Sequence, residues 1–317
     1  MSLVERALQK LQAGQKTPGK RTERSVAPPA PPRPPAIASA VEPGAFGAGH
    51  ARTDRQLQVD LEALRGAGLL PPLEQQRQLS DQYRAVKRPL IKHAFFDAPP
   101  AAEDAAGSAR SIMVSSALPG DGKTFTSVNL ALSMALEKDH TVLLVDGDVA
   151  KPHVSDAFGA GGEPGLLDVL SDPDRAIESV ILQTDIPRLS LLPVGKRNEH
   201  APELLASARM RALIRRLEEL DPTGIVIVDS PPILLTSEAR VLSSLFGQVL
   251  LVVKANVTPQ QAVLEAVRIV GEGPRVSLVL NHVAGGGTAP YHYGYGYGYG
   301  TPAGDAPRPE AGDAPAQ

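Results

Sequence analysis

The chain has 317 residues, including 30 Pro and 29 Gly, with 42% hydrophobic residues and a formal net charge of -3. That charge gives no bulk electrostatic reason to bind nucleic acid, and the absence of Cys excludes disulfides and thiolate metal sites. No apolar run reaches the roughly 18 residues a membrane span needs, and the first residues lack a signal peptide's apolar core, so the expectation is a cytoplasmic protein.

Residues 1–13 place Leu3, Val4, Ala7, Leu8 and Leu11 at helical spacing, which predicts a short amphipathic helix. Alone it is marginal, so it docks either on its own domain or on a partner or membrane surface. Residues 14–57 are rich in Pro, Ala, Gly and charge around APPAPPRPPA. That composition cannot bury a core and reads as a disordered, partly polyproline linker, with a plain spacer favoured over a proline-recognition ligand. Residues 58–98 regain periodic apolar positions and read as a helical lead-in, with Pro89 expected to stop or kink the helix near Arg88.

From Ser111 onward, short β-rich runs (SIMVSS, TVLLVD, LSLLPV, IVIVDS, QVLLVVK, VSLVLN) alternate with helical stretches near 123–138, 202–220, 237–246 and 259–272. Near-continuous apolar strands alternating with helices predict an α/β fold: a doubly wound, mostly parallel sheet with helices on both faces. Residues 58–283 thus form the domain, lead-in included. In such sheets ligands bind beyond the carboxyl ends of the strands.

At the end of the first of these strands, SSALPGDGKTF presents Gly120, Gly122, Lys123 and Thr124 in the order a phosphate loop needs. Glycines turn backbone N–H groups toward phosphates, the following helix adds its positive end, Lys123 reaches the β/γ-phosphates and Thr124 offers a hydroxyl to Mg²⁺. Ala117 stands where the common pattern begins with Gly. Two more strands end in acid: TVLLVDGD delivers Asp146 and Asp148, and IVIVDSPP delivers Asp229. Carboxylates at neighbouring strand ends converge on the loop and can hold Mg²⁺ directly or through water. Asn281 ends the last strand, where it either touches a nucleotide base or makes a turn.

Residues 284–317 form a flexible Gly/Tyr-rich tail. Five of the six tyrosines in the chain fall there, at Tyr291, Tyr293, Tyr295, Tyr297 and Tyr299. Alternating Gly lets each ring present itself separately, as a set of phosphate acceptors or as an adhesive low-complexity stretch. Behind a phosphate loop and three strand-end acids the acceptor reading is favoured. A nucleotide-driven switch or scaffold without physiological transfer is the alternative.

Taken together, ALPGDGKTF, LLVDGDVAKP, IVIVDSPP, the APELLAS segment and the tyrosine cluster resemble the bacterial tyrosine kinases, P-loop NTPases tied to capsular and exopolysaccharide production. The resemblance covers roughly residues 75–300. The N-terminal helix and YRAVKRPLI look closer to the exosortase-associated exopolysaccharide branch. It implies an ATP-dependent tyrosine autokinase in which Pro119, Gly120, Asp121, Gly122, Lys123, Thr124 and Phe125 bind ATP. Thr124, Asp148 and Asp229 would organise Mg²⁺, and the catalytic set would be Lys123, Asp146 and Asp148, with Asp146 taking the tyrosine proton. The tail tyrosines would be phosphorylated in trans within a transient homo-oligomer. A separate membrane-embedded polysaccharide co-polymerase would activate the kinase and recruit it to the inner membrane face. Two departures from that family are visible, and one further position argues against the partition ATPases. Val149, Ala150 and Lys151 stand where the family usually carries an Arg after the second Asp. The family's Glu-x-Arg-x-x-Arg oligomerisation pattern is replaced by Asp81, Gln82, Tyr83, Arg84, Lys87 and Arg88. Leu118 occupies the position of the partition ATPases' signature Lys.

Overall fold

The apolar runs form a single sheet. The computed structural model describes residues 56–97 and 107–283. The predicted N-terminal helix, nearly all of the linker, and the tail with Tyr291, Tyr293, Tyr295, Tyr297 and Tyr299 lie outside the described residues. Among those described, the strands are β1 (Gln56–Leu57), β2 (Ser111–Ser116), β3 (Thr141–Asp146), β4 (Leu182–Thr184), β5 (Leu189–Leu192), β6 (Gly224–Asp229), β7 (Gln248–Lys254) and β8 (Arg275–Asn281). They lie in the order β1-β4-β5-β3-β6-β2-β7-β8. Every neighbouring pair is parallel except β4 with β5.

Side-chain alternation divides the interior into two cores. Ile112, Val114, Val142, Leu144, Ile225, Ile227, Leu250 and Val252 face one side. Met113, Leu143, Val145, Val226, Val228, Val249 and Leu251 face the other. The first face is covered by α1 (Leu61–Gly66), α2 (Gln76–Lys92), α3 (Lys123–Ala135) and α4 (His153–Ala157). The second is covered by α5 (Leu166–Ser171), α6 (Ala201–Leu205), α7 (Ala208–Leu220), α8 (Ser237–Ser243) and α9 (Gln260–Val270). A strand buried on both faces needs apolar residues at every position, which is why these runs lack polar alternation. No described helix is long and apolar enough to cross a membrane.

Two expectations are corrected. Helix α2 runs through Pro89 without stopping at Arg88. Pro89 and Ala85, four residues earlier, are both exposed, so the carbonyl deprived of a donor is open to water. Contacts on either side seat the helix: Tyr83 and Lys87 are buried before the proline, and after it buried Leu90 accepts from Gln248 Nε2 at 3.1 Å. Gln56 and Leu57, placed in the linker by composition, pair with Gln183 and Thr184 as an edge strand. Asp185 fastens that junction, its N–H donating to the Leu57 carbonyl and its side chain accepting from Val59 N.

Candidate functional site

Strand β2 delivers the loop of residues 117–122 to the N-terminus of α3. Gly120 and Gly122 have φ of 82° and 95°, the left-handed region that glycine enters without strain. At Gly122 a Cβ would also meet the Asn281 amide, which would have to move aside. Ala117 is buried and has no positive φ, so its backbone does not demand the glycine of the common pattern. Pro119 and Gly120 are exposed, while Phe125, half-buried, packs on the α1–α4 side.

Two of the three predicted acids, Asp148 and Asp229, bond to the first residues of α3. Lys123 Nζ binds Asp148 Oδ2 at 2.6 Å and lies 3.3 Å from Thr124 Oγ1. Thr124 Oγ1 donates to Asp229 Oδ2 at 2.8 Å, and Ser127 Oγ donates to Asp229 Oδ1 at 3.0 Å. Asp146 and Asp229 are register partners on adjacent strands. Asp146 is held from another side, its Oδ2 accepting the Ser155 N–H and hydroxyl, both at 2.7 Å, while its buried Oδ1 has no hydrogen-bond partner.

Three carboxylates thus share one lysine. Burial opposes the charge on Lys123, but Asp229 and Asp148 together outweigh it and hold its pKa above the ordinary value. Burial raises the Asp229 carboxyl against the pull of Lys123, Thr124 and Ser127. Burial, and next the neighbouring Asp229, push Asp146 up to about 7 despite the bonds from Ser155. This surplus of buried negative charge, with an unpartnered carboxylate oxygen, is the setting a divalent cation would neutralise. Oxygen donors from Thr124, Asp148 and Asp229 fit Mg²⁺.

A cavity of about 1170 Å³ opens over the loop, walled by Lys123, Thr124 and Asp148 on the phosphate side. Leu69, Leu70, Pro71, Leu79 and Tyr83 of the lead-in wall it too, as do Val279 to Val283. Lys151, at the place of the family's usual Arg, is exposed at the cavity edge, and its N–H meets Asp148 Oδ1 at 3.1 Å. The oligomerisation pattern is altered in space as well: Tyr83 and Lys87 point inward, Lys87 to Glu137 at 2.7 Å and to the Ser133 carbonyl. Among the described residues no three His, Asp or Glu side chains cluster as a metal site, so a cation here would rest on Thr124, Asp148, Asp229 and the nucleotide's own phosphates.

Sequence reading missed Ser127, Ser155, Thr258 and the lead-in wall. Ser127 was within reach of it, since it lies one turn after Lys123 on the face that carries Thr124. Ser155, Thr258 and the wall arrive from distant segments and leave no local signal.

An AAA-domain profile matches residues 109–266. The chain is 32% identical to the tyrosine-protein kinase YwqD of Bacillus subtilis (strain 168) over 187 residues, 59% of this chain and 73% of that one. It is 32% identical to the tyrosine-protein kinase ptk of Acinetobacter johnsonii over 136 residues, 43% of this chain, and spans 18% of that relative's length. Among solved structures, the kinase domain of VpsO aligns with 66% of this chain and 98% of its own, at 27% identity and a TM-score of 0.54. With the loop, the strand-end acids and the parallel sheet in place, these likenesses make the chain a member of the bacterial tyrosine-kinase family, built on the P-loop NTPase fold.

Proposed function

We propose that the chain is an ATP-dependent tyrosine autokinase whose acceptors are Tyr291, Tyr293, Tyr295, Tyr297 and Tyr299, phosphorylated in trans. The observation that carries this reading is the distribution of tyrosine. Tyr83, the sixth, is 7% exposed, and burial pushes its hydroxyl up to about 12, so it is unsuited to be an acceptor. All the others follow the last strand.

In this reading Lys123 leaves Asp148 for the phosphates, and the amides at the start of α3 face the same charge. Thr124, Asp148 and Asp229 hold Mg²⁺, which when bound neutralises phosphate charge and fixes the orientation of the γ-phosphoryl group. The acceptor oxygen forms its bond to the γ-phosphorus as the bond to the β-phosphate oxygen breaks, and ADP leaves. Asp146 takes the tyrosine proton as general base. Ser155 holds Oδ2, while Oδ1 is buried and Asp146 does not line the cavity, so a tyrosine hydroxyl reaches Oδ1 only if the site opens.

The full chain incubated with Mg²⁺ and ATP is expected to carry phosphate on the tail tyrosines by peptide mass spectrometry, and Lys123→Met to carry none. An unmodified tail in a preparation that hydrolyses ATP would sink the kinase reading and leave the switch. The same reading puts the chain in the cytoplasm, acting in exopolysaccharide synthesis or export, with a separate membrane-embedded co-polymerase as activator. Reconstitution with that membrane protein is expected to raise the labelling rate severalfold, and an unchanged rate counts against this part.

A further inference from the structure

We infer that Asp121, Thr258 and Asn281 form a latch that keeps the phosphate loop in its anion-accepting curve, so that Thr258 and Asn281 are positioning residues for nucleotide binding. The inference rests on the nucleotide-site reading above. It starts from an oddity of charge. Asp121 sits in the middle of the loop and is only 3% exposed. A buried carboxylate there opposes a polyphosphate electrostatically, so it must contribute something that geometry requires. Its donors are neutral: Thr258 Oγ1 gives its hydrogen to Oδ1 at 2.6 Å, and Leu118 N faces Oδ2 at 3.4 Å.

Thr258 is well held for that purpose. Its hydroxyl accepts from Lys254 N at 3.1 Å, and its own N–H donates to the Lys254 carbonyl at 3.0 Å. A hydroxyl has one hydrogen, and here it goes to Asp121. The second half of the latch is Asn281, whose Nδ2 donates to the Asp121 carbonyl at 2.9 Å. Its own carbonyl accepts from Ala255 N at 2.9 Å, tying it to the same turn after β7. In a planar trans peptide the C=O and the following N–H point in opposite directions. Drawing the Asp121 carbonyl toward Asn281 therefore turns the Gly122 N–H away from it. Only a glycine at 122 lets the Asn281 amide come this close. Neither Thr258 nor Asp121 is among the residues around the cavity, so Thr258 acts on the nucleotide through the loop that Asp121 shapes.

The test measures ATP, ADP and GTP affinity on the full chain, beside the melting temperature without nucleotide. Thr258→Val is expected to weaken ATP and ADP binding about tenfold, the scale of one hydrogen bond to a charged group. Its nucleotide-free Tm is expected to fall by only about 2–4 °C. Thr258→Ser, which keeps the hydroxyl, restores affinity. Asn281→Ala is expected to weaken ATP and GTP alike, since its amide is committed to the loop. Wild-type affinity in Thr258→Val, or no recovery in Thr258→Ser, overturns the latch. So does an Asn281→Ala variant that changes the ATP-to-GTP ratio without a common loss, because that is base recognition. A wild-type chain that binds none of the three nucleotides overturns the nucleotide-site reading, and the latch with it.

Discussion

Gly122 is the residue on which two demands of the site meet. Its φ of 95° is left-handed, and the Asn281 amide fills the volume a side chain would take. A Cβ in that backbone region costs about 1–2 kcal/mol before any contact is counted. Gly122→Ala is therefore expected to lower unfolding free energy by more than that backbone amount, because Asn281 must also move. Adding Asn281→Ala should recover the contact part and leave the backbone part. The double-mutant cycle, read by urea unfolding, separates the two. If the two losses simply add, the crowding is not real and the closeness of Asn281 has another cause. The same residue scale explains why Thr124 and Ser127 cannot be traded for Ala without consequence. Each gives a hydrogen to Asp229, a fully buried carboxylate whose pKa burial already raises.

At the scale of elements, the seating of α2 on α3 turns on one cation. Lys87 is buried, with its side chain 5% exposed, and binds the Ser133 carbonyl and Glu137 Oε1. It caps the C-terminal part of α3, where a positive charge meets free carbonyls. Lys87→Met keeps the length and loses the charge, and is expected to destabilise the chain by about 1–3 kcal/mol. Its pH signature follows from Glu137, whose pKa is lowered chiefly by the hydrogen bond from Lys87. A depressed carboxylate contributes stability above its unfolded pKa and loses it as pH falls through the folded one. The wild type should therefore lose stability over about pH 5 to 3, where Lys87→Met loses less. Equal acid slopes in chemical denaturation would remove Lys87 from this role. Elements also show where sequence reading reaches its end. Strands β2, β3, β6 and β7 were legible because burial on both faces leaves only apolar choices. The three acids were legible because Asp146 and Asp229 close such runs and Asp148 lies two residues beyond one. Pro89 misled because a local rule about helices was overridden by tertiary anchors at Tyr83, Lys87 and Leu90. The two- and three-residue strands β1 and β4 are too short for any periodicity. The Thr258 and Asn281 contacts to Asp121 join segments 137 and 160 positions apart, and no local pattern encodes them.

For the whole molecule, the decisive question is which copy's tail enters which cavity. Strand β8 ends at Asn281, and His282 and Val283 stand at the edge of the cavity, so the chain leaves the domain beside the site itself. Tyr291 lies eight residues beyond Val283, a reach of at most about 28 Å when extended. A segment that returned to its own cavity would have to reverse within that length. The site also carries a surplus of negative charge from Asp146, Asp148 and Asp229 around one lysine. Each transferred phosphate adds about -1.5 to -2 to the tail, so a modified tail is repelled from the site and from other modified tails. On the autokinase reading proposed above, transfer would proceed between copies and loosen their association as it goes. Two variants separate the routes. Lys123→Met keeps every acceptor but loses transfer, and the variant with Phe at all five tail positions keeps the site but has no acceptor. Mixed with Mg²⁺ and ATP, they are expected to label the Lys123→Met tail, at a rate that rises with the concentration of the Phe variant. Wild-type labelling should slow per molecule on dilution. A Lys123→Met tail that stays unlabelled, beside wild-type labelling independent of concentration, would assign transfer to the chain's own site and require the reversal at residues 284–291.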